Sequence, residues 1–426
     1  MANPDRPSRR LALTGLGGLA LIGAGVLVAR RPDRGQGGHD AYFQGLAKAL
    51  TEAKLVQPTL VIDRARLDHN IAAVRQTLAG TPLGVRVVVK SLPSMPLIEA
   101  VADGLNTDRF MVFNGEMLGE MRRRRPGADI LMGKPLPAAA AAAFYDAFPA
   151  GPGAPQPQWL IDSAERLAHY GAIAKARGLA MRVNFELDVG LHRGGFASLD
   201  DLAHAVEAAK ALPGIEISGL MGYDPHVPKT PDPKGAFARA QAIYADAIDV
   251  LKHRLGGDPA RLTLNTAGSP TYALHAKGTV ANEVSIGSAF VKPADFDLNT
   301  LTNHVPAAFI ATPVIKALPQ MRVPSLEALS GVIRFFDPNT QRAFFIWGGH
   351  WMAKPVSPPG LQFNGLYGRS SNQELLTGSA RVRLAEDDYV FFRPAQSEAV
   401  FLQFGDLALY DQGRITARWP TFPVSA

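Results

Sequence analysis

Lys90 heads the residues of this chain whose types and spacing could do covalent chemistry. It ends the β-branched run Val85-Arg86-Val87-Val88-Val89 and precedes Ser91-Leu92-Pro93. Such a run reads as a buried strand. Desolvation at the strand's exit favours the neutral amine, which is the form that attacks a carbonyl to make a Schiff base. On position alone, a lysine reaching solvent at a strand end is the commoner reading. Further along lie Asp188-Val189-Gly190-Leu191-His192-Arg193-Gly194-Gly195 and Gly222-Tyr223-Asp224-Pro225-His226. Then come two small turns, one carrying Gly268-Ser269-Pro270-Thr271 and the other Gly287-Ser288-Ala289. Backbone N–H groups in glycine-containing turns that open helices can hold a phosphate dianion.

These residues need elements that bring them together. The spacing predicts strands over Val85–Val89, Arg109–Phe113, Ile130–Met132, Trp159–Asp162, Met181–Leu187, Ile215–Met221, Leu262–Asn265 and Glu283–Ile286. Helical segments such as Ser163–Arg177, Leu199–Leu212 and Ala236–Leu255 fall between them. Before the first of these strands, Thr59–Asp63 reads as another, with Asp63 capping a helix that runs through Leu78. Eight strands with helical crossovers make an α/β chain with a closed (β/α)8 TIM barrel, ahead of an open doubly wound sheet. No G-x-G-x-x-G follows a strand, which argues against a dinucleotide fold. In such a barrel the strand C-termini build one mouth. Lys90 then ends the first strand, the Arg193 segment follows the fifth, Tyr223 and His226 the sixth, Ser269 the seventh and Ser288 the eighth. An amine faces a phosphate cradle, with Arg, His and Tyr between them. Pyridoxal phosphate needs this layout.

Past Asn303 the helical spacing fades. Apolar runs at Phe309–Ile315, Gly331–Phe336, Ala343–Trp347, Ala380–Leu384, Tyr389–Phe392, Ala399–Leu402 and Leu407–Tyr410 read as strands of an all-β C-terminal domain. The expected organisation is an export signal or membrane anchor over 1–31, a linker and lead-in over 32–57, the barrel over 58–302 and the β domain over 303–426.

Composition narrows the function classes. The chain has 426 residues, of which 47% are hydrophobic and 19% charged, an ordinary globular balance. It contains no cysteine, which excludes disulfides and thiolate metal sites. The net charge of +6 is mild. Arg122-Arg123-Arg124-Arg125 suits an exposed helix end, and no aromatic interleaving accompanies it, so no nucleic-acid partner is expected. At the other end, Arg9-Arg10 precedes the weakly hydrophobic run Leu11–Ala29, which Arg30-Arg31 follows. This reads as a twin-arginine signal for export to the periplasm, with Ala29 the best cleavage point. An uncleaved membrane anchor is the alternative, since the run is long enough to span a bilayer.

Pro58-Thr59-Leu60-Val61-Ile62-Asp63, Val89-Lys90-Ser91, the Asp188–Gly195 segment, Gly222–His226, Gly268–Thr271 and Asn282-Glu283-Val284-Ser285-Ile286-Gly287-Ser288 recur in one order and spacing. In these, residues 58–297 and the β domain after them resemble the alanine-racemase-type (fold-type III) pyridoxal-phosphate enzymes. They are most like the D-threonine aldolase and D-serine dehydratase branch. The resemblance implies that Lys90 carries pyridoxal 5'-phosphate as a Schiff base and that Arg193 lies near the cofactor's phenolic oxygen. It also implies that Gly268, Ser269 and the Gly287-Ser288 turn hold the phosphate, with Tyr223 and His226 beside the ring or substrate. Lys90, His226 and Tyr223 are then the catalytic candidates.

The chain departs from that branch in places. Val88 stands where a histidine is usual, and Ser285 where an arginine is common. Pro394-Ala395-Gln396-Ser397-Glu398 replaces Pro-x-His-x-Cys, the metal-binding stretch of the metal-dependent lyases. An amide and a carboxylate suit zinc poorly, so no metal is expected there. His350 in Gly348-Gly349-His350-Trp351 is the candidate replacement ligand, against the commoner reading of a loop histidine. The leading expectation is a metal-independent lyase acting on D-amino acids, working as a homodimer. A racemase of the same fold is second; it needs a base on the opposite face, for which Tyr367 and Tyr389 are candidates. A non-catalytic pyridoxal-phosphate-binding or cell-envelope interaction protein is the reading from another class.

Overall fold

The computed structural model describes residues 30–149, 155–325 and 327–423. The export signal or anchor lies outside the described residues, apart from Arg30 and Arg31. The described residues separate into two compact units, one spanning residues 60–309 and 394–423, the other residues 30–59 and 310–393. A single boundary near residue 302 is therefore replaced by three crossings, and the last thirty-odd residues return to the first unit.

The first unit contains a closed parallel barrel of eight strands. These are β1 (Gly84–Val88), β2 (Arg109–Val112), β3 (Asp129–Met132), β4 (Gln158–Ile161), β5 (Met181–Leu187), β6 (Ile215–Gly222), β7 (Thr263–Thr266) and β8 (Glu283–Ile286). All eight expected strands are present, with ends shifted by a residue or so. β8 closes on β1 with Val85 opposite Val284. The crossover helices begin where short polar side chains cap them. Asn114, Ser163, Ser198 and Asp232 each accept a backbone N–H of the first turn. Asp63 caps Arg64–Leu78 in the same way. The four arginines from Arg122 end the helix Gly115–Arg124, in line with the expectation.

The barrel interior is polar at one level. Arg86 of β1 is fully buried and forks onto Glu283 at 2.6 and 3.0 Å, with Asp129 at 2.8 Å. Burial opposes its charge, but the two carboxylates outweigh that and its pKa is raised. Beside the barrel, Thr59–Asp63 pairs in parallel with Asp406–Asp411, which pairs antiparallel with Arg414–Pro420. The backbone N–H of Asp295 donates to the carbonyl of Ala395 (3.1 Å), tying the returning segment to the loop after β8.

The second unit is built on antiparallel pairs. Ala308–Leu318 pairs with Arg342–Trp347 and with Tyr389–Pro394. Arg342–Trp347 pairs in turn with Gln373–Gly378, and that strand with Gln362–Phe363. Phe344, Ile346, Leu376, Val390 and Phe391 are buried, and Phe43 of the helix Ala41–Glu52 packs on Phe391 with ring centroids 4.8 Å apart.

Three expected strands are corrected. Gly331–Phe336 belongs to the helix Glu327–Phe336, Ala399–Leu402 falls in the short helix Glu398–Phe401 and the turn after it, and Ala380–Leu384 is irregular. A short apolar run has no period of its own, so packing decides between helix and strand.

Candidate functional site

The β1 exit is a 3-10 turn over Val89–Ser91 rather than a continued strand. That turn aims Lys90 across the barrel mouth. Its Nζ lies 3.2 Å from Glu398 Oε1 and 4.5 Å from the centre of the Phe113 ring. The side chain is 36% exposed. The expected desolvation is thus replaced by an ion pair in a partly exposed setting. Ser91 Oγ donates to the same Glu398 oxygen (3.1 Å), and Ser288 Oγ lies 3.2 Å from Ser91 Oγ. One line of hydrogen bonds therefore joins the β8 turn to the Lys90 carboxylate partner.

Opposite Lys90 lies the anion cradle. The backbone N–H groups of Gly287 and Ala289 both point at Ser269 Oγ, at 3.1 and 3.0 Å. The walls are tight at both glycines. A Cβ on Gly268 would stand 2.5 Å from Tyr223 Cε2, and one on Gly287 would stand 2.8 Å from Val88 and Ser91. Thr271 holds the Gly268 turn: its Oγ accepts from Gly268 N–H (3.2 Å) and donates to Asp224 (2.6 Å). His275 Nε2 lies 2.9 Å from the other Asp224 oxygen. Asp224, Thr271 and His275 are all buried, so β6 and the β7 turn are locked together.

Between these walls lies a cavity of about 70 Å³. Lys90, Arg193, Tyr223, Gly268, Ser269, Gly287 and Ser288, all expected at the site, line it. Arg193 lies over the Tyr223 ring at 5.0 Å. It does not pair with Asp188, whose carboxylate instead binds His192 Nδ1 (2.8 Å) and the Gly190 and His192 N–H groups. Burial pushes the Tyr223 hydroxyl up to about 12, with Arg193 working against it. Tyr223 is therefore a hydrogen-bond donor at neutral pH rather than a base.

The alanine racemase N-terminal domain family matches residues 62–294, more than half of the chain. The chain belongs to that family. Its members depend on pyridoxal phosphate. No curated protein matches the sequence. Among solved structures, D-threonine aldolase from Filomicrobium marinum superposes with a TM-score of 0.68 at 16% identity, over 85% of this chain and 94% of that one. D-threo-3-hydroxyaspartate dehydratase from Delftia sp. HT23 gives 0.68 at 17% identity, over 86% and 98%. Alanine racemase from Bacillus anthracis gives 0.65 at 13%, over 86% and 98%. These are likenesses of fold.

The residues present fit the family's cofactor. A primary amine stands on one wall, and on the other two N–H groups converge on a hydroxyl where a phosphate oxygen could sit. At both glycines the walls leave no room for a side chain.

His226 is the expected site residue that the structure does not bring in. Asp224 is drawn inward by Thr271 and His275, and the chain turns at Pro225 into a 3-10 turn. His226 consequently packs against Gly190 and is absent from the cavity walls. Tyr389 is buried with its hydroxyl donating to the Leu55 carbonyl, and Tyr367 donates to that of Arg322. His350 is an exposed loop residue whose backbone N–H donates to Glu374.

Other site residues escaped the sequence reading. Phe113 and Asn265 line the cavity, and Asn265 shares two hydrogen bonds (2.9 and 3.0 Å) with Ser285. Glu186 lines an outer cleft that shares Lys90, Arg193 and Glu398 with the cavity. Burial pushes its carboxyl up to about 7; Arg193 lowers it, and Asp162 and Asp188 raise it. The signal for Glu186 was its place at the end of β5, two residues before Asp188 on the rim strand.

Proposed function

We propose that this family member is a lyase acting on D-amino acids with a β-hydroxyl, of the D-threonine-aldolase and D-serine-dehydratase type, and that it works without a metal. The carboxylate of Glu398 beside Lys90 carries this reading. Glu398 stands where the resembled metal-dependent lyases carry a cysteine, and the residue at their histidine position is Gln396. A carboxylate can take a hydroxyl proton directly, where a metal would lower the hydroxyl's pKa.

Bound pyridoxal phosphate supplies an electron sink for charge at the substrate Cα. Lys90 is the covalent anchor. Ser269 and the N–H groups of Gly287 and Ala289 would hold the phosphate, while Tyr223 and Arg193 would lie beside the ring. Glu398 accepts the β-hydroxyl proton. The former O–H pair becomes the aldehyde C=O as the Cα–Cβ bond breaks, and the Cα–Cβ bonding pair stays on Cα. A proton from Lys90 forms a second Cα–H bond in place of the broken Cα–Cβ bond, and the proton on Glu398 returns to Lys90 across the 3.2 Å gap. Protons balance, and the products are glycine and an aldehyde.

The test is product analysis with a panel of D- and L-amino acids, before and after dialysis against EDTA. Aldehyde and glycine from a D-β-hydroxy amino acid, undiminished by EDTA, are expected. Enantiomer exchange with no carbon–carbon cleavage or ammonia release would replace this reading with a racemase. Activity lost on chelation and restored by zinc or manganese would overturn the metal-free part. We also propose that Arg9-Arg10 directs the folded protein to the periplasm.

A further inference from the structure

We propose that the helix Glu327–Phe336 is a membrane-docking element whose outward face rests on a lipid bilayer. The inference is independent of the reaction proposed above, and it rests on the reading of Leu11–Ala29 as a membrane-inserting run that stays attached.

The helix packs one side onto its own unit. Ser330 is buried, and Ile333 packs against a core of Met321, Val323, Ala343 and Leu375. The other side carries Leu329, Val332, Phe335 and Phe336, exposed by 51%, 53%, 51% and 37%. Four large apolar side chains in two turns are more than an isolated surface hydrophobe. Positions 329, 332 and 336 follow helical spacing, the pattern of a helix lying in a bilayer interface.

What covers this face follows from where the chain leads. Arg30 and Arg31 are the first described residues, and both dock on the end of this helix. Arg31 N–H donates to the Phe336 carbonyl (2.8 Å), and its guanidinium pairs with Asp337 (3.0 Å). The Arg30 guanidinium lies 5.6 Å from the centre of the exposed Phe335 ring. Immediately before them in sequence stand the nineteen residues Leu11–Ala29, none of them charged. If that run enters a bilayer, Arg30 and Arg31 stand at the headgroup level, where long basic side chains keep their charge in water. The Phe336 end of the helix, held to Arg31 by a backbone hydrogen bond, is then brought to the same surface. Exposed Arg34 adds a third cation at the entry, which suits anionic headgroups. The face therefore fits the acyl–headgroup boundary of a bilayer containing anionic lipid.

The absence of cysteine makes the test direct. Leu329→Cys, Val332→Cys and Phe335→Cys would each be placed in the full chain and labelled with an environment-sensitive fluorophore. The protein would be reconstituted into phosphatidylcholine–phosphatidylglycerol vesicles with and without spin-labelled lipid. Blue-shifted emission and quenching by the lipid-borne label at all three positions are expected, and Leu329→Glu with Val332→Glu should remove the quenching at 335. Retained cofactor absorbance would show that each variant is folded. No quenching at any position overturns the proposal. So does purification of the protein from its membrane fraction with residues 11–29 removed. Emission that shifts with protein concentration rather than with lipid would assign the face to a second copy of the chain instead.

Discussion

Glu398 lies 3.2 Å from Lys90, across 308 residues of sequence, and accepts a hydrogen bond from Ser91, the residue next to that lysine. Both partners are about one-third exposed, so the pair adds little to stability. Replacing Glu398 by glutamine keeps the shape and removes the base. The expected outcome is a fall of about 10²-fold or more in kcat for β-cleavage, the usual scale for a lost acid–base group. Cofactor absorbance should remain. Lys90→Ala, by contrast, should abolish the adduct that borohydride traps. Unchanged kcat in E398Q would remove Glu398 from the mechanism.

Glu186 gives a pH-dependent prediction. Its carboxyl is raised from the ordinary 4.5 to about 7, chiefly by burial. The folded chain therefore holds that proton more tightly than the unfolded chain. The side chain favours folding most below pH 4.5, and that advantage is lost as pH rises toward 7, after which it changes no further. Glu186→Gln removes the loss. Urea titrations should show the variant gaining on the parent between pH 4.5 and 7, by on the order of 3 kcal/mol at the plateau. A constant difference across that range would show that Glu186 does not titrate there.

Gly268 tests the cradle. A Cβ there meets Tyr223 Cε2 at 2.5 Å, and aromatic rings on a packed wall yield poorly. Gly268→Ala should displace Tyr223 and weaken pyridoxal phosphate binding by about ten-fold, or ~1.4 kcal/mol. Equilibrium titration by absorbance measures it. Unaltered affinity would place the phosphate elsewhere.

Arg86 tests the barrel floor. Its removal leaves Glu283, which is 2% exposed, with only Asn265 (2.7 Å) and the half-exposed Arg109 (3.3 Å) as partners. Arg86→Ala should cost about 3–5 kcal/mol, the range for breaking a buried pair from one side. Chemical denaturation reads this, and a loss below about 1 kcal/mol, the scale of a surface pair, would contradict it.

Arg9→Lys with Arg10→Lys addresses location. In a host with the twin-arginine pathway, the doubly substituted protein should stay in the cytoplasm while the parent is exported. Identical fractionation of the two would count against the signal.

The barrel and most of its mouth were determined by the sequence alone. Strand runs such as Val85–Val89 and caps such as Ser163 and Asp232 act over a few residues, so local chemistry suffices to place them. Once eight strands alternate with helices, the fold requires Lys90, Arg193, Tyr223, Ser269 and Ser288 to share one rim. What the tertiary structure decided is everything that depends on distant packing. Residues 394–426 return to the barrel unit and bring Glu398 to Lys90, a pairing no local pattern encodes. Asp224 points inward to Thr271 and His275, which swings His226 out of the cavity. The run Gly331–Phe336 suited helix and strand alike, and the sheet beneath Ser330 and Ile333 chose the helix. Phe113, Asn265 and Glu186 joined the site only because barrel closure turned them toward it, since side-chain direction at a strand end is set by neighbours that the local sequence does not contain.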